Sequence, residues 1–111
     1  NNINWKMNFY KGTTALLLSD ADKAKTNLIK CHECKETPET LNNLGCVSLL
    51  LNESAKAKKF FEKAIKIFPD YFDASHNLKY LDFSKIRITQ FPLRHKTSRS
   101  EYFMGRHNQK N

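Results

Sequence analysis

Two stretches of this sequence carry residue types whose spacing could do chemistry. In Cys31-His32-Glu33-Cys34, two thiols stand three residues apart with an imidazole and a carboxylate between them. That spacing suits a redox pair or half a metal site, but a structural zinc site wants four ligands. The third cysteine, Cys46, falls on a different segment, no second such pair follows, and His32, His76, His95 and His107 share no ligand spacing. The pattern points away from a metal or redox centre, and no cofactor is implied. The second stretch, Arg94-His95-Lys96-Thr97-Ser98-Arg99-Ser100, is a basic run flanked by Phe91, Tyr102 and Phe103. Cations interleaved with aromatic rings can contact phosphates and stack on bases, or meet an anionic membrane surface or an acidic protein. Charge alone is unspecific, so a solvated basic tail is the simpler reading. Phosphorylation of Thr97, Ser98 or Ser100 would weaken the local positive charge. No glycine-rich phosphate loop and no Ser or Cys with a matched His and acid accompany these stretches, so an enzyme is not expected.

The bulk of the chain narrows the partners. At 111 residues it supports one domain, and its net charge is +8. That charge is unevenly placed, with 12 Lys/Arg against 10 Asp/Glu through Phe83 and 7 against 1 from Ser84 onward. No apolar run approaches the roughly 20 residues that span a bilayer. An odd count of three cysteines gives no disulfide framework and favours a reducing cytoplasm. The chain begins with Asn1 rather than Met, so an upstream targeting segment would instead allow the bacterial envelope.

The segment around which the rest is organised runs from Pro38 to Tyr71. It reads as two amphipathic helices broken at Asn52–Glu53. Thr37 suits the N-cap, Pro38 the first helical position and Glu39 the positive end of the dipole. Leu41, Leu44, Val47 and Leu51 share one face. Ala57, Phe60 or Phe61, Ala64, Ile65 and Phe68 do the same in the second helix, which Pro69 ends. Gly45 and Ala64 lack bulk, so two backbones can cross closely, with Phe61 filling the gap beside Ala57. A shift of 33 residues lays a weaker copy over this unit: Gly12 on Gly45, Leu16–Leu18 on Leu49–Leu51, Lys23-Ala24-Lys25 on Lys56-Ala57-Lys58. The same shift puts Leu28 on Phe61 and Cys31 on Ala64, which makes Cys31 a small packing residue. Ser19 with Asp22 is a box-like start for the second helix of that copy. Trp5, Phe9 and Tyr10 make its first helix aromatic, as a terminal helix covering the core would be. A third unit starts with Asp70 as N-cap and Asp73 in the first turn, takes its apolar positions from Phe72, Ala74, Leu78, Tyr80 and Leu81, and stops near Phe83.

Leu44-Gly45, Ala57, Phe61, Ala64 and Pro69 match the tetratricopeptide-repeat pattern in identity and spacing. Ser48 departs from it, standing where an aromatic is usual. The chain thus resembles a short all-α tetratricopeptide solenoid. Residues 1–83 form its domain, with repeats at about 5–37 and 38–71 and a capping helix at about 71–83. Residues 84–111 form a basic C-terminal extension. The resemblance implies a concave groove lined by first helices, which binds a peptide or helix of a partner protein. Carried over by position, the lining is Lys6, Phe9 and Thr13, then Glu39, Asn42 and Cys46, then Asp73, His76 and Tyr80, with Asn43 and Asn77 near the same surface. Asparagine amides can bond a peptide backbone through both donor and acceptor, while an ordinary solvated face is the plainer alternative. Some members clamp the C-terminal carboxylate of heat-shock chaperones. Here Phe9 and Thr13 replace the Lys and Asn which that clamp needs, and Asp73 would repel a carboxylate.

The expected function is a protein–protein interaction module, an adaptor or assembly factor. Two alternatives concern the extension. In one, Arg87, Arg94, Lys96 and Arg99 contact nucleic acid or an anionic surface, with the repeats as scaffold. In the other, Ile86–Leu93, overlapping the stretch from Lys85 to Thr89 whose alternation is strand-like or extended, supplies a strand or plug. It then enters a second chain, making a homo-oligomer, or its own groove, making an autoinhibited form.

Overall fold

In a computed structural model, which describes residues 2–92 and the side chains from Asn4 onward, the chain is all-helical with an extended end. The helices are α1 (Asn2–Leu17), α2 (Ala21–Cys34), α3 (Pro38–Leu50), α4 (Ser54–Ile67) and α5 (Phe72–Tyr80), followed by a 3₁₀ turn at Phe83–Lys85. Among the described residues there is no strand. Helix α1 packs on α2 and α3 on α4, while α2–α3 and α4–α5 contacts join the pairs into one stack.

The two helix pairs repeat each other in detail. Ser19 and Asn52, 33 residues apart, both adopt the left-handed conformation at φ 59°. Each closes its turn with the same long backbone bond: Asp20 N–H to Ala15 C=O and Glu53 N–H to Ser48 C=O, both 2.8 Å. Such a turn satisfies carbonyls orphaned at a helix end. The small residues act as expected. A methyl placed on Gly45 would lie 2.4 Å from Phe61 Cε1, and one on Gly12 would lie 2.6 Å from Leu28 Cγ. Leu28, Cys31, Phe61 and Ala64 are fully buried, so Cys31 fills a packing position equivalent to that of Ala64.

Thr37 caps α3 as anticipated, its Oγ1 accepting the Thr40 N–H at 3.2 Å, with Pro38 just inside the helix. Two other caps differ from expectation. Ser19 is committed to the left-handed turn, whereas an N-cap needs extended geometry; Asp20 caps α2 instead, accepting the Lys23 N–H at 3.2 Å. Tyr71, not Asp70, is the residue before α5, and it makes no side-chain cap bond. Its ring is drawn into the core, with Tyr71 only 3% exposed, which sets where the helix begins.

Helix α5 also departs from the expected apolar pattern. Phe72 and Tyr80 are 59% and 43% exposed, so neither is a core residue. The buried positions of α5 are Ala74 and Asn77. A polar amide can be buried there because the layer over α5 and α3 is not another helix. It is residues 86–89 of the same chain, in extended conformation.

Gly45→Ala is expected to destabilise the fold by about 1–3 kcal/mol, since a rigid ring rather than a flexible chain end meets the added methyl. Ser19→Gly should raise stability by up to about 1 kcal/mol by relieving a left-handed residue. Urea denaturation followed by helical circular dichroism measures both.

Candidate functional site

Helix α3 lies at the centre of the stack, and every residue from Pro38 to Leu49 is buried. One side meets the hydrophobic core; the other presents Asn42, Asn43 and Cys46 toward Asn77 of α5. All three amides are fully buried. A buried amide left unbonded costs about 1–3 kcal/mol, so each requires partners. The extended segment supplies them. The Asn77 amide takes both backbone groups of Arg87: its Oδ1 accepts the Arg87 N–H at 2.7 Å and its Nδ2 donates to the Arg87 carbonyl at 2.9 Å. Asn43 does the same for Thr89, at 2.9 Å to its N–H and 2.7 Å to its carbonyl. In an extended chain, residues two apart point their backbone groups the same way, so two amides can read alternate residues. Asn42 ties the two clamps together. Its Nδ2 reaches the Arg87 carbonyl at 3.0 Å, while its Oδ1 accepts from Asn77 at 2.8 Å.

The side chains of the same two residues are also held. Thr89 Oγ1 donates to Asp73 Oδ2 at 2.7 Å and lies 2.6 Å from the Tyr71 hydroxyl and 3.2 Å from Asn42 Nδ2. Its single proton is used on the carboxylate, so the Tyr71 hydroxyl donates to it. The other Asp73 oxygen, Oδ1, accepts from Arg87 Nε at 2.8 Å, and the guanidinium sits 4.9 Å from the centre of the Phe72 ring. At the end nearer α5, His76 Nε2 donates to the Lys85 carbonyl at 2.8 Å, while Lys85 Nζ lies 5.4 Å over the Tyr80 ring.

Of the positions carried over from the repeat pattern, the structure brings Asn42, Asn43, Cys46, Asp73, His76, Asn77 and Tyr80 to this segment. Thr13 joins from below, accepting from Asn43 Nδ2 at 3.0 Å. Cys46 Sγ lies 3.7 Å from the Arg87 carbonyl. Three positions lie elsewhere. Phe9 is fully buried in the hydrophobic core rather than lining the groove, and the exposed Lys6 sits 6.0 Å over the Trp5 ring. Glu39 is fully buried as well. Arg87 meets its own groove, whereas Arg94, Lys96, Arg99 and the Thr97, Ser98 and Ser100 hydroxyls lie outside the described residues. Sequence reasoning missed Tyr71 and Thr89 as site residues. A threonine among the polar positions of the alternating stretch was the available signal.

Around Cys31-His32-Glu33-Cys34, Cys31 Sγ is 3.1 Å from Thr40 Oγ1, His32 pairs loosely with Glu36 at 3.8 Å, and Cys34 is exposed. Among the described residues, no group of three metal-ligating side chains converges.

Comparison with protein families bears directly on this geometry. The tetratricopeptide-repeat model matches residues 38–71, the segment spanning α3 and α4. Residues 38–71 are similar to a tetratricopeptide repeat. No curated protein and no solved structure gives a significant match to the chain. The helical stack, in which each helix packs on its neighbours, is consistent in form with a short tetratricopeptide solenoid, and the repeat it matches is of a kind that generally serves protein–protein interaction. Within it, Ser48 takes the place of the usual aromatic, is buried and bonds the Leu44 carbonyl at 3.0 Å.

The cysteines give a check on the packing. Burial pushes the Cys31 thiol from 9.0 up to about 11, against the lowering effect of its bond to Thr40, and burial likewise raises Cys46. A thiol raised in the folded state contributes its stability in full below pH 9 and loses it as pH climbs toward 11. Native chain should therefore present one fast-reacting thiol, Cys34, to a disulfide reagent at neutral pH and three after denaturation. Stability should fall between pH 9 and 11.

Proposed function

We propose that the groove between α3 and α5 binds an extended segment of a partner protein, making the chain a non-enzymatic adaptor or assembly module. In this reading residues 1–83 are the scaffold, and the basic extension from residue 84 carries a segment that holds the groove when no partner is bound. One observation carries the proposal: Asn43 and Asn77 each bond both backbone groups of one extended residue. Backbone bonds do not depend on side chains, so the same amides serve any segment that adopts this conformation.

Energetics support an exchangeable occupant. Each such bond contributes about 1 kcal/mol net, because water competes for the same groups. Ordering each residue costs about 1–2 kcal/mol. For a segment of four or five residues the bonds leave only a small surplus, so a free segment binds modestly and attachment to the chain keeps this one in place. When it leaves, the amides are hydrated rather than stranded.

Exchange of the segment between two copies is a second reading, favoured by Leu81. This non-glycine residue adopts the left-handed conformation at φ 48° between α5 and the segment, a strained hinge of the kind that invites swapping. Nucleic-acid binding through Arg87 is not favoured, since its guanidinium is already paired with Asp73.

The test is a nuclease-treated capture from source cells with three full-length chains: unaltered, Arg87→Glu/Thr89→Val to loosen the segment, and that variant with Asn42→Ala/Asn77→Ala added. A protein partner is expected to be enriched by the loosened chain and lost with the asparagines. Retention by the asparagine variant, or loss on nuclease treatment, would overturn the proposal. Light scattering on the same chains decides the exchange reading, which requires a dimer whose population falls in the loosened variant.

A further inference from the structure

The amides of the groove are indifferent to sequence, but the carboxylate beside them is not. Asp73 receives two bonds from one strand of peptide: the threonine hydroxyl on Oδ2 at 2.7 Å and the arginine Nε on Oδ1 at 2.8 Å. The two side chains belong to the two residues whose backbones Asn77 and Asn43 hold. Main chain and side chains are thus read in one register. We infer that the groove selects extended segments in which an arginine precedes an unmodified threonine by two residues, an inference that rests on the peptide-groove reading above.

Three features make the selection chemical rather than merely steric. The hydroxyl of Thr89 has one proton and two lone pairs, and all are used, on Asp73, Tyr71 and Asn42. Valine has the same shape but would leave a carboxylate oxygen, a phenol and an amide without that partner, and sites built to bond a hydroxyl reject the analogue lacking it. A phosphate on this oxygen would meet the Asp73 carboxylate at hydrogen-bond distance in a site that leaves Thr89 only 7% exposed. The arginine adds a charge-assisted bond and a planar face 4.9 Å from the Phe72 ring, a stacking that lysine cannot reproduce. An acidic residue in its place would face Asp73.

The partner class is therefore a basic, threonine-bearing segment, and the chain's own Arg87-Ile88-Thr89 is one member of it. A partner carrying the same pair competes directly with the chain's extension. Phosphorylation of that threonine would close the groove to it.

The test uses the Arg87→Glu/Thr89→Val full-length chain and a fluorescent peptide with the sequence of residues 84–92, read by anisotropy. Against it stand the same peptide with Thr89→Val, with Arg87→Glu, and with phosphothreonine at 89. The unaltered peptide is expected to bind at least about tenfold more tightly than each of the three. Equal affinity for all four, with binding abolished by adding Asn43→Ala/Asn77→Ala to the chain, would overturn the selectivity and leave the groove reading standing. Binding that survives the asparagine changes would overturn the groove reading itself. A helical chain that binds none of the peptides would overturn both. Should the loosened chain lose its helical signal, the isotope-labelled unaltered chain serves instead. Excess unaltered peptide should then shift its Arg87 and Thr89 amide resonances, and the three altered peptides should not; a shift of equal size with all four overturns the selectivity.

Discussion

The structure turns on a single requirement: three asparagine side chains lie in its interior, and their amides must find hydrogen-bond partners. Asn42, Asn43 and Asn77 sit on two first helices that face each other across a gap, with one another and Thr13 as helical neighbours. Those neighbours use only part of their bonding capacity. An extended backbone meets the remainder, because it offers a donor and an acceptor at alternate residues on one side. The segment around Arg87 and Thr89 is therefore the complement of an array that already exists on the helices, and its path follows from that array.

That array exists because of how closely the helices cross. Gly12 against Leu28 and Gly45 against Phe61 let α1 and α3 settle onto α2 and α4 with no room for an added carbon. Matching left-handed turns at Ser19 and Asn52 then bring each second helix back along its first. Repeating one step stacks the first helices side by side, so that Thr13, Asn43 and Asn77, from three successive helices, line one surface. Helix α3, in the middle, becomes buried on all sides. Its inward face is covered by aliphatic and aromatic packing, its outward face by the chain's own extension.

The consequence is a groove that is polar and already engaged by the chain's own extension. Polar contacts to backbone give a surface that is wetted when vacated, unlike an apolar groove, which would drive aggregation when open. Asp73 sits where it repels carboxylates and phosphates and attracts an arginine, opposite in sign to a clamp for an acidic C-terminus. The uneven charge of the chain fits this arrangement, since most of the net +8 resides in the extension whose first described arginine meets that carboxylate.

Helical pairing, the 33-residue step and the close crossings were legible in the sequence, because they depend on local spacing. Periodic apolar residues, a proline and paired glycines act within a few turns of helix wherever the pair is placed. The groove asparagines were legible only through the repeat pattern, since nothing local distinguishes a solvated amide from a buried one. Caps were partly misread at Ser19 and Asp70, where the turn conformation and the burial of Tyr71 override the preference of a single residue. That the extension could enter its own groove was one reading of its alternating stretch, but which residues occupy the groove was decided by tertiary structure alone. Arg87 and Thr89 lie 45 and 46 residues from Asn42 and Asn43, their main chain has no sequence signature, and a carboxylate from α5 joins them only once three helices are stacked. Spacing along the chain sets the helices, but the partner of a buried amide is chosen in space.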